Sequence, residues 1–349
     1  MKRLSLRTWI SIVTFLLIGI ILFFARHELE QAWQLLGKVN GWILLLLVPV
    51  ITAGYLAAGE MVFSYLRQKK LIAEVGLLTQ MRISLELNFV NHVLPSGGVS
   101  GISYMNWRLG KLGVKTGRAT MAQAVRYIAG FAALVALMII AVLVVTIDGT
   151  VNRWIILMSS TLVSFMVIVT LLGVFLFSSE ARLHRVTNFF IRIANAIVKR
   201  VTFGKYKNVV RPEALVAFLD DLHTDYKELM RDKRILIQPF LWGLFFTAAE
   251  IAIFWIVFWA LGSPINPAPI LIAYGLASLA GFIVVTPGGA GAYEAIMVLV
   301  LAVAGMGQSE AIAGIVLTRA IVLFVTIVIG WAFYQQVVLK YGKRPSASV

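Results

Sequence analysis

Two short stretches, LPSGG at residues 94–98 and TPGGAGAYE at residues 286–294, decide how this chain folds. Each is a Pro-Gly break set inside hydrophobic sequence. Proline lacks a backbone N–H and disfavours helix at the residue before it, and glycine lets the chain turn tightly. Each break therefore predicts two short helical segments meeting at a turn, where a continuous helix would otherwise run. The segments predicted around the first break fill residues 77–111, and those around the second fill 270–285 and 292–304.

Working outward, the sequence around the two breaks matches. Pro95 aligns with Pro287, and Gly97-Gly98 with Gly288-Gly289. Glu60 and Glu250 lie upstream within hydrophobic runs. Gly113 and Gly305 follow at the same distance, and Arg126 and Arg319 lie within the next run. The spacings agree to within two positions. Ionisable residues inside membrane spans are rare, so their joint recurrence points to an internal repeat.

The rest of the sequence explains why these runs lie in a membrane. Of 349 residues, 60% are hydrophobic and 13% charged, and the mean hydropathy is +0.89. Soluble domains carry about 25% charged residues. Long apolar runs alternate with charged clusters, as helical spans require, and they are too uniform for the alternating strands of a barrel. The expected fold is therefore all-α: a polytopic helical membrane protein with an inverted repeat and two Pro-Gly-broken helical hairpins, which either re-enter or span.

One transmembrane domain is expected over residues 1–349. A first span covers about 9–24. Ala25-Arg26-His27 makes a poor cleavage site, so this span is read as retained and not as a signal peptide. Repeat one covers about 41–147, a linking span 154–177, a cytoplasmic amphipathic region 178–233, and repeat two about 234–337. The odd crossing between two even units places the units upside down to each other. In the amphipathic region Leu183, Val186, Phe190, Ile193 and Ile197 share one face opposite Arg185, Arg192 and Lys199. That face suits either an anionic membrane surface or the protein itself.

The formal charge of +15 would suggest nucleic acid in a soluble protein. Here the basic residues mark cytoplasmic loops. With the N-terminus inside, only Arg26, Lys38 and Arg153 fall outside. Arg82, Arg126 and Arg319 lie within hydrophobic segments, and the rest of the 31 Lys and Arg fall inside. Both termini are thus expected on the cytoplasmic side of a cell membrane. Trp9, Trp42, Trp154, Trp259 and Trp331 are expected as interfacial anchors. Cysteine is absent, and His27, His92, His184 and His223 are scattered. No metal site, cofactor or nucleic-acid partner is expected.

The polar residues inside the apolar sequence are the candidate site. A helix starting within a membrane presents unpaired N–H groups and a positive dipole end, which suit an anion. Pro95, Gly97, Gly98, Pro287, Gly288 and Gly289 would shape two such starts. Arg126 and Arg319 match a phosphate by paired hydrogen bonds. They could equally pair with Glu60, Glu86, Glu250 or Glu294. Asn88 and Asn91 lie just before the first break. Glu294 could cap the helix that follows the second. Inverted repeats with broken helices are a recurrent transporter design, with the site where the repeats meet. The stripe Ala273, Ala277, Gly281 reads as close helix packing.

On TPGGAGAYE, Gly305 and Arg319, and more weakly on LPSGG and Gly113, the chain resembles the transmembrane region of bacterial lysylphosphatidylglycerol synthases and the stand-alone flippase-like membrane proteins built on it. The resemblance covers about residues 10–337. In the bifunctional members this region is associated with moving aminoacylated phospholipid between leaflets, while a soluble domain transfers the amino acid from tRNA. The chain ends at Val349, soon after the last predicted span, so lipid aminoacylation is not expected to carry over. The resemblance implies a non-enzymatic carrier or binder of phospholipid or another lipid-linked anion. The rival readings are a membrane-embedded enzyme on lipid-linked substrates and a non-transporting partner of a membrane enzyme.

Overall fold

The computed structural model describes residues 39–93, 99–148, 231–283 and 291–341, with scattered positions between 23 and 37, between 157 and 185, and Lys227. The two break turns, residues 1–22 of the first predicted region, and most of the linking span and the amphipathic region lie outside the described residues.

Every regular element among the described residues is helical. A short helix α1 (Gly41–Leu44) is capped by Asn40, whose side chain accepts the Trp42 N–H at 3.1 Å. It leads through Leu45 and Leu46 into α2 (Leu47–Gln68). The helices α3 (Leu77–Val93) and α4 (Val99–Gly110) flank the first break, and α5 (Thr116–Asp148) completes the unit. A 3-10 turn (Lys233–Leu236), capped by Asp232, opens the second unit. It continues as α6 (Ile237–Ala260), α7 (Pro267–Ile283), α8 (Ala292–Val303) and α9 (Gln308–Val325). A π turn (Thr326–Gly330) joins α9 to α10 (Trp331–Tyr341).

Gly41–Gln68, Thr116–Val144, Lys233–Ala260 and Gln308–Tyr341 are long and apolar enough to cross a membrane. Of the helices beside the breaks, 17 residues each of α3 and α7 and 12 each of α4 and α8 are described. The aligned glycines end the helix after the break in both units. Gly113 and Gly305 adopt φ of +88° and +96°. Val114 N–H returns to Leu109 O at 3.1 Å, and Met306 N–H to Leu301 O at 3.0 Å. This is the Schellman stop, which needs a residue with no Cβ at the left-handed position.

The first helices of the two units, α2 and α6, run antiparallel along most of their length. Asn40 N–H bonds Ala260 O at 2.9 Å at one end, and Gln68 Nε2 bonds Gln238 Oε1 at 3.2 Å at the other. Between them Gly54 lies against Ala249. Small residues recur where helices cross closely. A Cβ at Gly243 would stand 3.0 Å from Ala133 Cβ and 3.1 Å from Ala129 O, which brings α6 against the backbone of α5. Ala273 and Ala277 are fully buried in α7, as the packing stripe predicted.

Each broken hairpin has its own apolar core. One joins α3 and α4 to α2, α5 and the π turn, and the other joins α7 and α8 to α5, α6 and α9. A third cluster of Leu47, Ile51, Ile253, Ile256, Val257 and Leu317 ties α2, α6 and α9 together. The packing is reciprocal: α7 lies on α5, and its counterpart α3 lies on the turn between α9 and α10.

The tryptophans divide. Trp42 and Trp259 are exposed at the same end of α2 and α6, as anchors would be. Trp331 is a correction. The last helical run continues to Tyr341, so Trp331 lies within it and packs against the core of the first hairpin. Trp9 and Trp154 lie outside the described residues.

Candidate functional site

A cavity of about 160 Å³ lies where the two units meet. Besides Ser84, its polar wall includes Tyr55 from α2, Asn88, Asn91 and His92 from α3, Arg126 from α5, Glu250 from α6 and Arg319 from α9. Five of these seven, Asn88, Asn91, Arg126, Glu250 and Arg319, are residues that the sequence singles out. They come from both units and converge because α2 and α6 cross at the centre while each following span leans over the other unit's hairpin.

The two arginines occupy matching places in their units but differ in partners. Arg319 donates from Nε to Glu294 Oε1 at 2.7 Å, and its guanidinium lies 4.6 Å from the Tyr293 ring centre. Glu294 also accepts the Gly291 N–H at 2.7 Å. It thus caps the start of α8, where a carboxylate suits the free N–H groups and the dipole. Gly291 has φ of +88°, a conformation open to glycine. Arg126 forms no ion pair with any carboxylate among the described residues. Its guanidinium carbon lies 5.9 Å from the centre of the Tyr127 ring.

The acidic residues also separate. Glu250 lines the cavity and makes no ion pair or hydrogen bond among the described residues. Glu60, its counterpart in the repeat, is buried elsewhere and paired with Arg67, the next-to-last residue of α2. Glu60 is therefore not brought to the cavity. The reason is local: Arg67 lies seven residues on, on the same face of the helix, and α6 has no cation at the equivalent place.

From the cavity wall a hydroxyl-amide network joins three elements. Asn88 Nδ2 donates to Tyr55 Oη at 2.9 Å and to Thr326 Oγ1 at 3.3 Å, and the two hydroxyls are 3.0 Å apart. Thr326 opens the π turn, where the wider helical winding carries its hydroxyl toward α3. His92 Nδ1 donates to the Asn88 carbonyl at 2.9 Å, which leaves Nε2 to accept at the cavity. The Asn91 carboxamide lies against Gly101 of α4, and its Oδ1 finds no hydrogen-bond partner among the described residues.

Sequence reasoning missed Tyr55, His92 and Thr326 as parts of the site. It also missed the network around Glu86. That carboxylate is fully buried and takes Arg82 Nε at 2.9 Å, Arg108 Nε at 2.9 Å and Tyr104 Oη at 2.8 Å. Arg82 also reaches the Phe333 carbonyl at 3.3 Å. The cluster binds the first hairpin to α10, and its role is architectural. The i, i+4 spacing of Arg82 and Glu86 was the one readable signal. Pro95, Gly97, Gly98, Pro287, Gly288 and Gly289 lie outside the described residues.

Comparison with known proteins agrees with this architecture. The family model for the lysylphosphatidylglycerol synthase TM region matches residues 8–330. A relative described as a UPF0104 membrane protein, from Methanothermobacter thermautotrophicus, is 25% identical over 237 residues, which is 66% of this chain and 67% of the relative.

Proposed function

The chain belongs to the family of the lysylphosphatidylglycerol synthase transmembrane region, and on that premise we propose that it is a flippase-like carrier of a phospholipid or other lipid-linked anion. One observation carries this reading. Two arginines from separate units, Arg126 and Arg319, reach one cavity together with Asn88, Asn91 and Glu250. Guanidinium and amide donors suit phosphate oxygens, and a site between units of opposite direction is where alternating access would expose substrate to each leaflet in turn. In this reading the two hairpins are an inverted pair that exchange conformations, and no chemistry is done on the lipid.

The protein would sit in the cell membrane with both termini cytoplasmic. The end of α2 bearing Arg67, Lys69 and Lys70 lies beside the start of the second unit at Lys233 and Arg234, so one face gathers the positive charge. Region 178–233 would rest on the anionic lipid of that face.

A membrane-embedded enzyme is the second reading, because Glu250 and His92 set a carboxylate and an imidazole on the same cavity. Liposomes containing the purified chain and a fluorescent phospholipid separate the two. Leaflet exchange that depends on Arg126 supports the carrier. Conversion of the lipid to a new species without exchange selects the enzyme.

A further inference from the structure

A second cavity of about 160 Å³ lies between α2, α5, α6 and α7. It is lined mainly by apolar surface, including Met61, Gly130, Phe131 and Leu134. It also shares Arg126 and Phe246 with the polar cavity, so these two side chains form a common wall. The polar side of that wall carries amides, Glu250 and Arg319. The apolar side carries mainly hydrocarbon and aromatic rings, with Thr247 and Ser278 among them. Arg126, with no carboxylate partner among the described residues, stands at the boundary between them.

A phospholipid has the same division. Its phosphate marks the point where a polar headgroup meets apolar chains. Resting on the carrier reading above, we propose that the second cavity is an acyl-chain site. The phosphate is held at Arg126, the headgroup enters the polar cavity, and the first part of one chain lies against Phe131 and Leu134. Phe246 separates head from chain. Substrates are then selected for an apolar chain beside the phosphate as well as for the phosphate itself. A free phosphate or a water-soluble phosphate ester fills only half of the site.

Gly130 offers a way to close the apolar side alone. A Cβ there would meet only the flexible end of Met61, at 3.2 Å, so Gly130→Ala serves as the folding control. Gly130→Leu projects a larger side chain into the cavity.

The test uses the full chain in lipid nanodiscs with a phospholipid carrying a photoactivatable diazirine near the glycerol end of one acyl chain. Adducts are mapped by mass spectrometry. Binding of glycerol phosphate, which has no chain, is measured in parallel. Expected adducts fall on Phe131 and Leu134, and Gly130→Leu lowers them roughly tenfold while leaving glycerol phosphate binding unchanged. Adducts confined to the outward-facing Ile128, Ile139 and Ile140 would overturn the chain site, even where Arg126→Ala still abolishes lipid exchange and the carrier reading stands. Cavity adducts in a protein that exchanges no lipid would uphold the chain site and overturn the carrier instead.

Discussion

Arg319 is braced by Glu294: its Nε meets one carboxylate oxygen at 2.7 Å, while the other oxygen takes the Gly291 N–H at 2.7 Å. The pair links α9 to the first turn of α8 and holds the helix start beyond the second break. Arg126, at the matching place in the first unit, has no such brace among the described residues. The repeat thus sets two arginines at one cavity with unequal freedom to bind a ligand.

Their substitutions should differ in kind. Arg126→Ala is expected to lower lipid exchange roughly tenfold or more while leaving thermal unfolding nearly unchanged. Arg319→Ala leaves a carboxylate without its cation and should cost about 1–3 kcal/mol of stability as well. Unfolding in detergent, run beside exchange in liposomes, reads both. Equal losses of stability would contradict the assignment.

Glu86 predicts an effect on folding. Removing it strands the buried Arg108 at the junction of α3, α4 and α10 and leaves Arg82 with the Phe333 carbonyl. Breaking a buried ion pair by removing one partner costs about 3–5 kcal/mol. Glu86→Ala should therefore sharply reduce the yield of monodisperse protein. A variant with wild-type yield and melting temperature would show that the network is dispensable.

The contact of Asn88 with Thr326 can be measured as a coupling. The single changes Asn88→Ala and Thr326→Val and their combination form a double-mutant cycle. Their bond at 3.3 Å, with Tyr55 sharing both partners, predicts a coupling of about 0.5–3 kcal/mol. Simple additivity would mean that the π turn is not held by this network.

The antiparallel crossing offers a direct test of architecture. The chain has no cysteine, so introduced pairs report without background. A Cβ at Gly54 would lie 3.5 Å from Ala249 Cβ, within the range of about 3.5–4.5 Å that disulfides use. Gly54→Cys with Ala249→Cys should cross-link under mild oxidation, and pairs displaced by half a helical turn should not. If the units move against each other during transport, the cross-link should slow exchange and reduction should restore it.

Much of the fold was legible because membrane burial writes itself in composition. Each long span reads as an apolar run, since an unpaired charge or an open backbone in lipid is costly. The helix-ending glycines Gly113 and Gly305 were equally readable, because glycine acts through its own backbone geometry. So were Arg126, Arg319, Glu250, Asn88 and Asn91 as candidates, being polar where polarity is rare.

Which of those groups are bound to one another was decided only in three dimensions. Glu60 and Glu250 are alike in sequence, yet one is paired with Arg67 and the other lines the cavity. Arg126 and Arg319 are alike, yet one is braced by Glu294 and the other stands in the wall between two cavities. Repetition specifies equivalent backbone positions. Ion pairing depends on the few ångströms between side chains from different helices, and those distances are set by how α2, α5, α6 and α9 pack around the centre of the molecule.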